Sequence, residues 1–235
     1  MSLPDQRQER ARAGLQAWSG FPADRQPRPL VLLSPAASAG GFPDGQKKMA
    51  FLRGAVEVAA PGFPGQILQA LRGQPGDYAG PPLLVTTATL SSTEFCTDRG
   101  RRQLPAWKVR AQDVPEPIWV LDPATRRQAW QPPGPDLHGW RGTTAVLDAD
   151  GRTLTMSFIG SPAGFTDYPD ADVLESGGAV AIVPIPVDTG PPGLRIAIGQ
   201  LREVTVSLAR PLGERVLLDE TGSPVMVTAC VTVVA

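Results

Sequence analysis

Apolar and polar positions alternate most clearly towards the C-terminal end of the chain. Over residues 201–208, Val204, Val206 and Leu208 fall on one side and Thr205 and Ser207 on the other, the period-2 pattern of a half-buried strand. Pro211 and Gly213 interrupt it. A second run over 215–218 leads into Glu220, Thr221 and Gly222, a turn whose glycine can take the positive φ of a tight hairpin. Val225, Val227, Ala229, Val231 and Val233 then alternate with Met226, Thr228, Cys230 and Thr232. That pattern predicts a long strand, central in its sheet because so few of its positions are charged.

The same reading extends upstream. Ala11, Leu15 and Trp18 stand at i, i+4 and i+7, which predicts an amphipathic helix near the N-terminus, followed by a proline-rich connector to about residue 28. Strands are predicted over 29–34, 49–60, 83–90 and 118–121, and a short helix over 64–72, with Ile67, Leu68 and Leu71 on one side and Gly73 just past its end. Residues 143–159 read as a hairpin turning at Asp150 and Gly151, and 179–187 as an apolar strand. The expected fold is mainly β: a sandwich or partly closed barrel of about ten strands built from antiparallel hairpins, with an N-terminal helix and one short internal helix. Residues 1–28 form the helix and connector, and 29–235 a single β-rich domain.

Composition supports a globular chain. At 235 residues and 42% apolar content it can fill a core, and its 25 Gly and 26 Pro are dispersed between β-patterned runs, as turns are. The formal charge of −1 is unevenly spread: residues 99–141 carry a net +4 and residues 142–235 a net −6. No basic stripe interleaved with aromatics is present, so nucleic acid is not an expected partner. No run of 18 apolar residues exists, so no transmembrane helix is expected. The charged N-terminus lacks the apolar core of a signal peptide, so the sequence as it stands reads as cytoplasmic, or as secreted where an export signal has been removed. Cys96 and Cys230 read as buried thiols, or as a pair in an exported protein.

Three short stretches carry a resemblance. The TDRG of residues 97–100, the LPAW of 104–107 and the VLDP of 120–123, followed by DADGRTL, the Glu175-Ser176 pair and PLGERVLLD, resemble a group of uncharacterised actinobacterial β-rich proteins, some of which look secreted or lipid-anchored. The resemblance covers roughly residues 83–225 and implies no known reaction and no known catalytic residue.

Motif chemistry is informative mainly by exclusion. His138 is the single histidine, and there is no GxSxG, HExxH, CxxC, P-loop or dinucleotide fingerprint, so no metal site and no cofactor are predicted. Trp130, His138, Trp140 and Arg141 lie in an aromatic and proline-rich loop, and Arg99 and Trp107 flank the segment 98–107. Together they predict a non-enzymatic binding or assembly protein that contacts a protein or glycan through surface loops. The alternative is a carboxylate-based or metal-assisted hydrolase working through Asp167, Asp172 and Glu175 of the acidic loop 167–175, which requires the three groups to converge. Homo-oligomer formation, by strand pairing across subunits, is a further expectation left open.

Overall fold

The computed structural model describes residues 3–73, 76–132, 142–190 and 198–229. In chain order its elements are α1 (Leu3–Ala17), β1 (Ala37–Ala39), α2 (Gly45–Leu52), β2 (Val56–Val58), α3 (Gly65–Arg72), β3 (Leu83–Thr97), β4 (Gly100–Ala111), β5 (Ile118–Leu121), α4 (Pro123–Gln128), β6 (Thr144–Leu147), β7 (Thr153–Gly160), β8 (Thr166–Glu175), β9 (Ala179–Asp188), β10 (Gln200–Ser207), β11 (Val216–Leu218) and β12 (Met226–Ala229). The chain is mainly β, as its alternation predicts. It divides into two compact units: Met1–Ser34, Cys96–Gly100 and Trp130–Ala235 form the first, Pro35–Phe95 and Arg101–Ala129 the second. The β-rich stretch from residue 29 onward contributes to both.

The first unit is a sandwich with a helix on one outer face. A four-stranded sheet in the order β10-β7-β6-β12 lies against a three-stranded sheet in the order β11-β9-β8. Leu154, Met156, Val204 and Val206 of the larger sheet meet Val180, Ile182 and Leu217 of the smaller one. On β9 the intervening residues Ala179, Ala181 and Val183 face the other way, against Ala11, Trp18 and Phe21. A strand buried on both faces reads as a continuous apolar run, which is what the AVAIV of β9 is. Its two alanines leave room for α1. Pro184 and Pro186 fall beyond the three-residue pairing of β9 with β11, where the missing N–H groups break no ladder on that side.

Pairing is antiparallel between β6 and β7, β7 and β10, and β8 and β9, with Val204, Val206 and Leu208 buried as their alternation predicts. β11 joins β9, and β12 joins β6, in parallel. The C-terminal end departs from the expected hairpin. β11 and β12 belong to different sheets, bridged only at Leu218 and Pro224, and the turn between them carries the chain from one layer to the other. Among the described residues β12 is also an edge strand rather than a central one. It carries no charge because the Asp98 carbonyl accepts the Val227 N–H at 3.0 Å, so the 96–100 turn covers the edge that charged residues would otherwise have to protect. Residues 230–235, including Cys230, lie outside the described residues.

In the second unit a five-stranded sheet in the order β1-β5-β4-β3-β2 buries Val85, Val109, Ile118 and Val120 together with Ile67 and Leu71 of α3. The internal helix predicted over 64–72 is α3. Two further internal helices, α2 and α4, occur where none was expected, both started by an aspartate cap. Asp44 accepts the Lys47 N–H at 2.7 Å, and Asp122 accepts from Ala124 N–H at 3.0 Å with Pro123 in the first turn. The strand expected over 49–60 is therefore confined to β2. Among the described residues no helix is long and apolar enough to cross a membrane.

Candidate functional site

The three carboxylates of the acidic stretch sit on or at the end of β8, and each is held by a different partner. Asp167 Oδ1 accepts from Arg202 Nη2 at 3.1 Å. Asp172 Oδ2 accepts from Gln8 Nε2 of α1 at 2.6 Å. Glu175 takes Arg215 Nη1 at 2.6 Å on one oxygen and the Ala209 N–H at 2.7 Å on the other. Burial works to raise the Glu175 pKa, but the bonds from Arg215 and Ala209, with the charges of Arg215 and Arg210, outweigh it and hold the carboxyl below its ordinary value. Asp172 and Glu175 stand an odd number of residues apart on one strand, hence on opposite faces. Among the described residues no group of three or more His, Cys, Asp or Glu is placed to hold a metal ion.

The basic and aromatic candidates hold the scaffold together. Arg99 Nη2 donates to the carbonyls of Gly213 at 2.6 Å and Arg215 at 2.7 Å, which ties the β3–β4 turn to the loop before β11. Beside it Asp98, 2% exposed, forms an ion pair with Arg28. Trp107 Nε1 donates at 3.0 Å to Asp122 Oδ1, the same carboxylate that caps α4. Trp130 is half-buried against Trp18, with ring centroids 4.7 Å apart, and meets the Phe21 ring edge-on at 5.3 Å. His138, Trp140 and Arg141 lie outside the described residues. Cys96 is a partly buried free thiol.

A concave site with mixed chemistry lies elsewhere in the first unit. Between its two sheets a pocket of about 300 Å³ is lined by Met156, Phe158, Ile159 and Pro184 on one side and by Thr143, Asp219, Glu220 and Thr221 on the other. Its apolar wall comes from β7 and β9, where Met156 and Phe158 face the core and Ile159 faces outward. Its polar wall is the turn from β11 to β12. Asp219 organises that turn: its Oδ1 accepts from the Thr221 N–H at 2.8 Å, the Thr221 hydroxyl at 2.6 Å and the Ser223 N–H at 3.1 Å, a compact Asx arrangement. Gly222 completes it at φ 80°.

The two carboxylates of the turn differ in their surroundings. Asp219 is only 7% exposed and is held by its three donors within the turn. Glu220 has Arg7 of α1 at 3.5 Å. Burial raises the Glu220 pKa, Asp219 adds to the rise, and Arg7 and Arg10 oppose it. On the outer face of the larger sheet Ile159 and Leu201, cross-strand partners on β7 and β10, are 65% and 63% exposed. A sequence signal for the turn was present in DETGS, whose Asp, Thr, Gly and Ser are turn formers. Nothing in the sequence placed it opposite Met156 and Phe158, because that depends on the chain changing sheets at this point. No protein-family model, curated protein or solved structure matches this chain.

Proposed function

We propose that this chain is a non-enzymatic binding protein whose ligand is received in the pocket between the two sheets of the first unit. The observation that carries this reading is the pocket's two-sided lining, an apolar wall of Met156, Phe158, Ile159 and Pro184 facing the polar turn of Asp219, Glu220 and Thr221. Small-ligand sites pair a predominantly apolar surface with a few fixed polar groups, and about 300 Å³ lies at the lower end of their usual size. A cavity of that volume takes a small molecule or one side chain of a protein partner. Arg99, Trp107 and Trp130 support a ligand elsewhere less well, since their donors and faces already bond within the fold. The hydrolase alternative has less support still, with Asp167, Asp172 and Glu175 bound to three separate partners.

The test is a methyl-detected NMR fragment screen of the full chain with labelled Met and Ile. Fragments that bind should shift the Met156 and Ile159 methyls while leaving Ile67, in the core of the second unit, unmoved. A screen that moves no methyl of the pocket selectively would remove the reading.

A further inference from the structure

We infer that the outer face of α2 docks on an anionic lipid surface, with Met49 and Leu52 entering the headgroup layer and Lys48 and Arg53 meeting its negative charges. The inference is independent of the pocket in the first unit. α2 is a surface helix with apolar residues on both sides. Inward it holds Ala50, fully buried, and Phe51, whose ring lies 5.3 Å from that of Phe42 in the core of the second unit. The outer side of such a helix is expected to be polar. Here it presents Met49 and Leu52, which are 40% and 61% exposed. Three residues apart, they are neighbours on the helix and form one stripe.

Cations stand on both sides of that stripe. At roughly 100° per residue the order around the exposed side is Lys48, Leu52, Met49, Arg53. Lys47, partly buried, is taken by Asp44 at 3.6 Å and Asp113 at 3.8 Å, whereas Lys48 and Arg53 are exposed and form no ion pair among the described residues. A Cβ on Gly76 would stand 3.2 Å from Arg53 Nη1, so the glycine leaves room for that guanidinium. Apolar side chains between free cations are the arrangement of an interfacial helix: the cations are drawn to anionic headgroups, and their long stems keep the charge at the surface while the apolar neighbours go deeper. A protein partner would need a groove shaped to the protruding Leu52, whereas a fluid headgroup layer closes around it. Charge selects the lipid, since Lys47, Lys48 and Arg53 stand against Asp44 alone over residues 44–53. With so few groups the association is weak and reversible, each cation near an anionic surface adding about fivefold in affinity.

Sedimentation of the full chain with lipid vesicles at low salt tests this. Vesicles of phosphatidylserine in phosphatidylcholine should carry the protein down, phosphatidylcholine alone should not, and added salt should release it. Met49→Asp combined with Leu52→Asp should weaken the association by about tenfold or more. Leu90→Asp, at an apolar position of β3 that is 62% exposed, should leave it unchanged. Lys48→Glu combined with Arg53→Glu should remove the preference for anionic lipid. A second measurement needs no variant: with phosphatidylserine nanodiscs carrying nitroxide-labelled headgroups, the Met49 methyl resonance should broaden while that of Met156, buried in the first unit, stays sharp. Absence of sedimentation with anionic vesicles, equal sedimentation with neutral ones, or a Met49 methyl no broader than that of Met156 would overturn the assignment. Retention on immobilised polyglutamate without vesicle binding would also overturn it and would give the face to an acidic protein.

Discussion

Gly14 of α1 and Gly222 of the turn between β11 and β12 meet backbone to backbone. A Cβ on Gly14 would stand 2.5 Å from the Cα of Gly222, and one on Gly222 would stand 2.7 Å from the Cα of Gly14. The helix is thereby seated on the same turn whose Asp219 and Glu220 line the pocket. In an isolated helix Gly→Ala gains roughly 1 kcal/mol from propensity. Here the sign should reverse, because the methyl meets backbone that cannot step aside and overpacking of this kind costs about 1–3 kcal/mol. Gly14→Ala is expected to lower the urea midpoint, and an unchanged or raised midpoint would show that the helix can lift off the turn freely. Gly222→Ala should be worse, since its φ of 80° disfavours any Cβ.

Glu175 and Arg215 form a largely enclosed ion pair. Arg215 is 6% exposed and also donates to the carbonyls of Arg210 at 2.9 Å and Pro211 at 2.8 Å, so its charge depends on Glu175 for compensation. Removing one member of a buried pair costs about 3–5 kcal/mol, and Glu175→Ala should approach that loss. The pH dependence follows from the direction of the shift. The folded carboxyl titrates below its ordinary value of 4.5, so its contribution is complete above that pH and is lost as pH falls from there through the folded pKa. Denaturant midpoints measured from pH 7 to pH 3 should fall in the native protein and fall less steeply in Glu175→Gln.

Trp130 packs into the first unit's aromatic cluster. With Trp18 and Phe21 packed on its ring, Trp130→Ala should destabilise by an amount near the low end of the ~3–5 kcal/mol seen for aromatic truncations, while the backbone bond from Trp130 N–H to the Leu30 carbonyl at 2.8 Å is kept. Trp130→Phe should recover most of it. A partner-capture assay that uses Trp130→Ala alone would therefore read stability together with binding, and calorimetric melting of the two variants separates them. An unchanged melting temperature in Trp130→Ala would mean that the ring contributes little to the fold and is free to serve a partner.

Much of the fold is legible in the sequence where a single element decides the pattern. The alternation of 201–208, the apolar run of β9, the hairpin of β6 and β7 and the helix at 64–72 each follow from side-chain period and turn residues alone. What is not legible depends on contacts between distant stretches. Val225 and Val227 alternate in the same way whether β12 pairs beside β11 or crosses to the other sheet, and the strand's lack of charge reads as central until the turn at Asp98 is seen to cover its edge. The helices α2 and α4 were signalled by Asp44 and by the Asp122-Pro123 pair, signals outweighed by the β-branched residues nearby. Asp167, Asp172 and Glu175 are close in sequence, yet strand geometry and three different donors separate them. The pocket residues are close only in space.

Glu220 provides the opposite pH signature to Glu175 and so distinguishes the two glutamates in one experiment. Burial beside Asp219 raises its folded pKa above the ordinary value of 4.5, while Arg7 and Arg10 hold the rise in check. The folded state then binds the proton more tightly than the unfolded chain does. Stability from this group is complete below 4.5 and is lost as pH rises through the folded pKa. Replacing Glu220 by Gln removes that loss and forfeits a partly exposed ion pair with Arg7, an interaction of a kind worth about 0–1 kcal/mol. The variant should match the native protein in acid and gain on it as pH rises to neutrality, with the gain reduced by the lost ion pair. Denaturant midpoints of both proteins across the same pH series check this: a difference that shrinks with rising pH would mean that Arg7 and Arg10, not burial, govern Glu220.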